Sequence, residues 1–182
     1  ASDGVVDFRA ARALGADFAY LAASTGGRGQ DAAFSRNLAA AREAGLQVGA
    51  VHRFDPCLMA DGQSANFVTI VPRGSDLLPP AIELSRGSES CTQNVPEAAV
   101  ASELMTLVNQ IEMHTGKPVI LKPSEAFEAA HPIAARIDRN LWLTRMRIEP
   151  DYAGRPWLLW TANDALRSDA AASPLRWVVA RP

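Results

Sequence analysis

Glu83 and Ser85 stand two residues apart at the end of the short apolar run Pro79-Pro80-Ala81-Ile82-Glu83-Leu84-Ser85. In an extended chain that spacing puts both side chains on one face. Two carboxylates so placed would do general acid–base chemistry. Here one carboxylate is joined by a hydroxyl, and Glu89 in the following loop is a further carboxyl within reach along the chain. Ser85, His52 and Glu83 are also the residue types of a nucleophilic triad. However, Ser85 lies in Glu-Leu-Ser-Arg-Gly, not in the Gly-x-Ser-x-Gly elbow that exposes a strained nucleophile, and Glu83 shares its strand. The plainer readings are a hydrogen-bonded hydroxyl and an ion-paired carboxylate at a strand end.

Other chemistry-bearing residues gather at similar places. Arg53, Lys122, Arg145 and Arg176 fall near the ends of apolar runs, and if they converge they form a pocket that attracts anions. His52 ends another such run, where a lone histidine is commonly a hydrogen-bonded structural residue. Cys57 and Cys91 could form a disulfide, remain two thiols, or be half of a metal site. No Cys-x-x-Cys spacing is present and His52, His114 and His131 are scattered, so no metal and no cofactor is expected.

These residues need elements to position them. "DFRAARALG" predicts a short helix capped by Asp7 and ended by Gly15. "DFAYLAAS" predicts a strand. "DAAFSRNLAAAREAG" predicts an amphipathic helix with Phe34, Leu38 and Ala41 on one face. "LQVGAVHRF" and "PPAIELS" predict further strands. Leu104, Leu107, Val108 and Ile111 are spaced for a helix running from Pro96 to Gly116, and "KPVILKP" follows as a strand. Strand and helix in alternation imply a parallel sheet with right-handed crossovers. After about residue 138, "RNLWLTR", "RPWLLWTAN" and "SPLRWVVARP" read as three strands with little helix between them. In such folds chemistry sits beyond the carboxyl ends of the strands, which selects His52, Arg53, Glu83, Ser85, Lys122 and Arg145.

The chain has 182 residues, 48% hydrophobic and 21% charged, which suits one domain with a sizeable core. Its net charge of -2 offers no field for nucleic acid or an anionic membrane. No apolar run reaches the ~18 residues of a membrane span, and no signal peptide is recognisable at the start.

With these residues in view, the sequence resembles the family-25 glycoside hydrolases, the lysozyme-type muramidases. "VVDFRAARALGADFAYLAASTG" resembles their opening helix and a strand ending in a Lys-Ala-Thr-Glu-Gly-like run. "AREAGLQVGAVHRF" resembles an Ala-Gly-Leu-x-x-Gly-Ala-Tyr-His-Phe segment. "SANFVTIVPRGSDLLPPAIELS" resembles the stretch leading to Leu-Pro-Pro-x-x-Asp-x-Glu, and "KPVILKPSEAF", "NLWLTR" and "RPWLLW" resemble later strands. The resemblance spans nearly the whole of residues 1–182, taken as a single domain. It implies an α/β fold, a TIM-like incomplete (β/α)5β3 barrel. The opening Gly-x-Asp-Val-Ser strand of that pattern has no counterpart here, so the first strand is expected to be lacking or displaced.

The functional positions depart from the pattern. Glu83 falls on the family aspartate, and Ser85 replaces the general-acid glutamate. A serine hydroxyl does not donate a proton usefully near neutral pH, and losing a general acid typically costs ~10²–10⁴-fold. By resemblance, Cys57 and Cys91 match positions of a branch with one Cys before the Leu-Pro-Pro stretch and one after it, and a bond between them would imply a periplasmic or secreted protein. His52, Arg53, Lys122, Trp142, Arg145 and Trp160 are the candidate substrate-binding residues, the two tryptophans as sugar-stacking platforms. The expectation is a peptidoglycan-type domain, impaired in hydrolysis, that binds cell-envelope glycan or serves as a scaffold. The alternative is an active hydrolase using Glu83 with a rearranged partner carboxylate such as Glu89. Peptidoglycan or a related glycan is the expected partner, with no nucleic acid and no membrane span.

Overall fold

A computed structural model describes residues 5–74 and 76–182. The strands are β1 (Phe18–Thr25), β2 (Gly29–Gln30), β3 (Gln47–Arg53), β4 (Ala81–Leu84), β5 (Ile120–Pro123), β6 (Asn140–Thr144), β7 (Leu159–Ser168) and β8 (Ala171–Ala180). They form one sheet in the order β2-β1-β3-β4-β5-β6-β7-β8. Neighbours from β1 through β7 are parallel, while β2 and β8 pair antiparallel at the two flanks. Helices α1 (Phe8–Ala13), α2 (Phe34–Glu43), α3 (Ala60–Ile70), α4 (Glu97–Thr115) and α5 (Glu125–Ala130) fill the chain between strands.

The local signals act as expected. The Asp7 side chain accepts hydrogen bonds from the Arg9 and Ala10 amides and so starts α1. Gly116 closes α4 in the left-handed conformation at φ 70°, where a side chain would be strained. α2 buries Phe34, Leu38 and Ala41, and α4 buries Val100, Leu104, Leu107, Val108 and Ile111. Each large apolar side chain so placed contributes about 1.5–3 kcal/mol relative to exposure. The sequence carries no apolar stripe for α3, because its buried face holds Gln63, Ser64 and Asn66 beside Phe67.

The sheet is curled. The rings of Tyr20 on β1 and Trp142 on β6 lie 5.0 Å apart, although β3, β4 and β5 stand between those strands. The period of two along each strand then divides the core. Phe18, Tyr20, Val51, Ala81, Ile120, Trp142 and Leu159 meet on the concave side. The alternate residues Val48, Ala50, Ile82, Leu84, Leu121, Leu141 and Leu143 join the helix-side core. The expected barrel is therefore met as a mixed α/β half-barrel.

Candidate functional site

Arg53, Glu83 and Lys122 come together because of register. Arg53 of β3 pairs with Glu83 of β4, and Glu83 with Lys122 of β5, so three charged side chains form one row across the concave face. Arg53 Nε donates to Glu83 Oε1 at 2.8 Å, and Lys122 Nζ donates to Glu83 Oε2 at 3.0 Å. The Glu83 and Lys122 side chains are only 14% and 11% exposed. Burial alone would raise the Glu83 pKa. Lys122 and Arg53 outweigh it and hold the carboxyl at about 2. Lys122 shifts downward, since burial disfavours its ammonium and Arg176 and Arg53 repel it, against the pull of Glu83. The row is thus favourable for the carboxylate and costly for the ammonium. The Lys122 ammonium also stands 4.4 Å from the centre of the Trp142 ring.

Trp142 forms the floor beside this row. Its indole N–H donates to Thr161 Oγ1 at 2.8 Å, and Tyr20, packed against it, donates its hydroxyl to the Pro79 carbonyl. Tyr20, Val51, Arg53, Glu83, Lys122, Trp142, Arg176 and Trp177 all line a cavity of about 490 Å³. Two further lining carboxylates point elsewhere: Asp17 pairs with Arg12, and Asp31 accepts from the Ala33 amide at the start of α2. Tyr20 and Trp177 were missed in the sequence. The signal for Tyr20 was its parity with Phe18 and Ala22 on β1.

The other expected site residues lie apart from this cavity. Ser85 is exposed just past β4. His52 points to the helix side, fully buried, with Nδ1 2.8 Å from Ser24 Oγ, Nε2 3.4 Å from Gln63 Oε1, and its ring edge-on to Phe67. The Gln63 amide donates to the Asp55 and Leu58 carbonyls, so its oxygen accepts from His52. His52 Nδ1 is then the acceptor and Ser24 the donor. Burial lowers the His52 pKa to about 4, against the upward pull of Gln63, and keeps the ring neutral. Arg145 pairs with Asp151 and Glu125, while Trp160 donates to the Arg145 carbonyl and packs on Trp157 outside the cavity. Of the six candidate binding residues, Arg53, Lys122 and Trp142 converge with Glu83. His52, Arg145 and Trp160 do not.

The rim is braced covalently. Cys57 and Cys91 form a disulfide with Cα atoms 5.4 Å apart, tying the loop after β3 to the loop after β4. Beside it Arg86 Nη1 pairs with Asp55 at 2.8 Å, and the Cys57 amide also donates to Asp55. Glu89 rests against Gly87 and does not line the cavity. Among the described residues, no group of three or more His, Cys, Asp or Glu side chains is arranged to hold a metal, and no helix is long and apolar enough to cross a membrane.

A half-barrel with its charged row at the carboxyl ends of the parallel strands can now be set beside known proteins. The model of the family "Glycosyl hydrolases family 25" matches residues 1–166. This chain belongs to glycosyl hydrolases family 25. A family-25 glycosyl hydrolase from Bacillus anthracis superposes with a TM-score of 0.85 at 23% identity, covering 97% of this chain and 82% of that one. The bacterial lysozyme from Streptomyces coelicolor gives 0.85 at 16% identity, covering 99% and 88%. At these identities the likeness establishes the family-25 fold alone. The uncharacterized protein YegX of Escherichia coli K12 is 28% identical over 164 residues, 87% of this chain. Those residues make up 57% of YegX, so the family-25 chain spans little more than half the length of that relative.

Proposed function

We propose that residues 1–182 are one family-25 barrel domain, of (β/α)5β3 type, that binds peptidoglycan glycan in the periplasm or outside the cell without efficient hydrolysis. Membership of family 25 supports a muramidase-type function aimed at peptidoglycan. The observation that carries the reading is the state of Glu83, a carboxylate gripped by Lys122 and Arg53 and held at about 2. Glycoside hydrolysis needs a group that is protonated when the leaving oxygen departs, typically a carboxyl raised toward ~6. Glu83 is ionised throughout the neutral range, and by the family resemblance Ser85 takes the position of the acid. Asp55 is engaged by Arg86, and Glu89 lies off the cavity, so neither favours a rearranged hydrolase.

What remains suits binding. Trp142 and Tyr20 present aromatic surface, and Arg53, Lys122 and Arg176 outnumber Glu83 along the same wall. An excess of cations there suits the lactyl and peptide carboxylates of peptidoglycan. Cosedimentation with purified sacculi tests this. Wild-type protein is expected in the pellet at low salt, and Arg53→Ala is expected to shift it toward the supernatant. Protein that stays in solution at every sacculus concentration defeats the reading.

A further inference from the structure

A second cluster of polar side chains lies on the helix side of the sheet, and none of its members lines the cavity. Glu128 on α5 and His131 just past its end are each 7% exposed. Glu128 Oε1 accepts from the Ala134 amide at 3.0 Å, but its Oε2 has no hydrogen-bond partner among the described residues. His131 packs its ring on Phe127 at 4.9 Å, and neither ring nitrogen has a partner. Nε of Arg155 is a third buried atom without one. The other Arg155 nitrogens are engaged. Nη1 donates to Asp138 at 2.9 Å, and Nη2 donates to the Arg139 carbonyl at 2.7 Å and the Ile137 carbonyl at 3.3 Å.

Buried polar atoms left unpartnered are costly, and these three groups complement one another. A neutral imidazole offers one acceptor and one donor, and a guanidinium Nε only donates. A protonated carboxyl can donate, while an ionised one only accepts. Glu128 Oε2 therefore has a match in either charge state: an imidazole nitrogen when the carboxyl carries a proton, and Arg155 Nε when it does not. All three act on one segment. Residues 131–139 join α5 to β6 without helix or strand. Glu128 holds the start of that segment through Ala134, and Arg155 holds its end through Ile137, Asp138 and Arg139. Burial raises the Glu128 carboxyl above its ordinary 4.5, against the Ala134 and Ile133 amides and the Arg155 charge. Tyr152, on the loop after β6, feels Glu128 together with Glu125 and Arg145. Its hydroxyl donates to the Pro123 carbonyl and accepts from the Thr144 amide, so it ties the ends of β5 and β6 just past Lys122 and Trp142.

We propose that Glu128 is a pH-driven latch that exchanges partners: in acid one proton is held between Glu128 Oε2 and the imidazole of His131, and when that proton leaves to water Oε2 takes the Nε–H of Arg155. The exchange passes the hold on residues 131–139 from His131 to Arg155. It also changes the charge felt by Tyr152 at the strand ends beside the charged row. The raised carboxyl fixes the sign. The stability that protonated Glu128 contributes is complete below pH 4.5 and is lost as pH rises through the raised value. The proton belongs to the pair, so Glu128 and His131 titrate as one unit. This goes beyond the glycan reading and does not depend on it.

The test is an NMR titration of the whole chain from mildly acidic to mildly alkaline pH. It follows the carboxyl carbon of Glu128, the ring nitrogens of His131 and the Nε–H of Arg155. All three signals are expected to step with one midpoint, above 4.5. Beyond that midpoint the Arg155 Nε–H should exchange with water about two- to tenfold more slowly, after correction for the intrinsic pH dependence, which is the worth of one hydrogen bond. Glu128→Gln, which has nearly the same shape and no titration, should abolish the step in the Arg155 signal. A Glu128 midpoint at or below 4.5, a His131 or Arg155 signal with no step at the Glu128 midpoint, or an Arg155 step that survives Glu128→Gln would each overturn the proposal. Should Glu128→Gln fail to fold, the three wild-type midpoints decide it.

Discussion

Replacing Glu83 by Gln changes one charge and almost no volume, in the middle of the Arg53–Glu83–Lys122 row. In the native protein the carboxyl is held at about 2 against an ordinary value of 4.5. At ~1.36 kcal/mol per unit, that difference corresponds to about 3 kcal/mol of stability at neutral pH. The side chain is 14% exposed, so solvent screens little of it. The depressed pKa fixes the sign: the contribution is complete above pH 4.5 and is lost as pH falls from there toward 2. Glu83→Gln also leaves the Lys122 ammonium buried beside Arg53 and Arg176 with no anion. Urea unfolding at pH 7 should therefore show a loss of about 3 kcal/mol or more. The gap from wild type should narrow steadily between pH 4.5 and 2. Adding Lys122→Met should recover much of the loss, because the stranded cation is removed with it. Carbon-13 NMR of the Glu83 carboxyl should find it ionised down to about pH 2. A variant within about 0.5 kcal/mol of wild type, with a gap that ignores pH, would refute the reasoning.

Three further outcomes follow from other parts of the molecule. Cys57→Ser/Cys91→Ser should lose about 3–4 kcal/mol in the chain-entropy model for a 34-residue separation, and native intact mass should show no free thiol. His52, held near 4 instead of 6.5, makes folding weaken as pH falls through that window, because the unfolded chain takes up the proton first; the ring's NMR titration should give a midpoint near 4, and His52→Gln should flatten this part of the stability curve. Gly49→Ala should cost about 1–3 kcal/mol in thermal or urea unfolding, since a Cβ there falls 2.2 Å from the Tyr20 ring, which is backed by Trp142 and tethered to Pro79.

Much of the frame could be read before any coordinates. Asp7 and Gly15, the Phe34-Leu38-Ala41 stripe and the Pro96-to-Gly116 helix are local signals, and local signals survive into the fold. The convergence of Arg53, Lys122 and Trp142 on Glu83 was legible because each lies at or near the carboxyl end of a parallel strand. Two of the residues that lie apart from the cavity, His52 and Trp160, share a cause. Choosing strand ends ignores parity, and parity sends His52 to the helix side and Trp160 to the outer surface. α3 was hidden for a different reason. Its inward face is polar because it holds the rim loops: Asn66 donates to the Gly26 and Gly29 carbonyls at 2.9 Å each, and Gln63 to those of Asp55 and Leu58. A helix that clamps loops has no apolar stripe to find.

The central claim is that this family-25 site holds glycan with its mouth carboxylate ionised across the neutral range and no acid to protonate a leaving oxygen. The direct measurement is release of reducing ends from purified sacculi across pH 4 to 8, for wild type and Glu83→Gln side by side. Release by both proteins at the level of buffer alone, with wild type retained on the sacculi, is the predicted result. Release by wild type at a rate comparable to a lysozyme, abolished in Glu83→Gln, would contradict it.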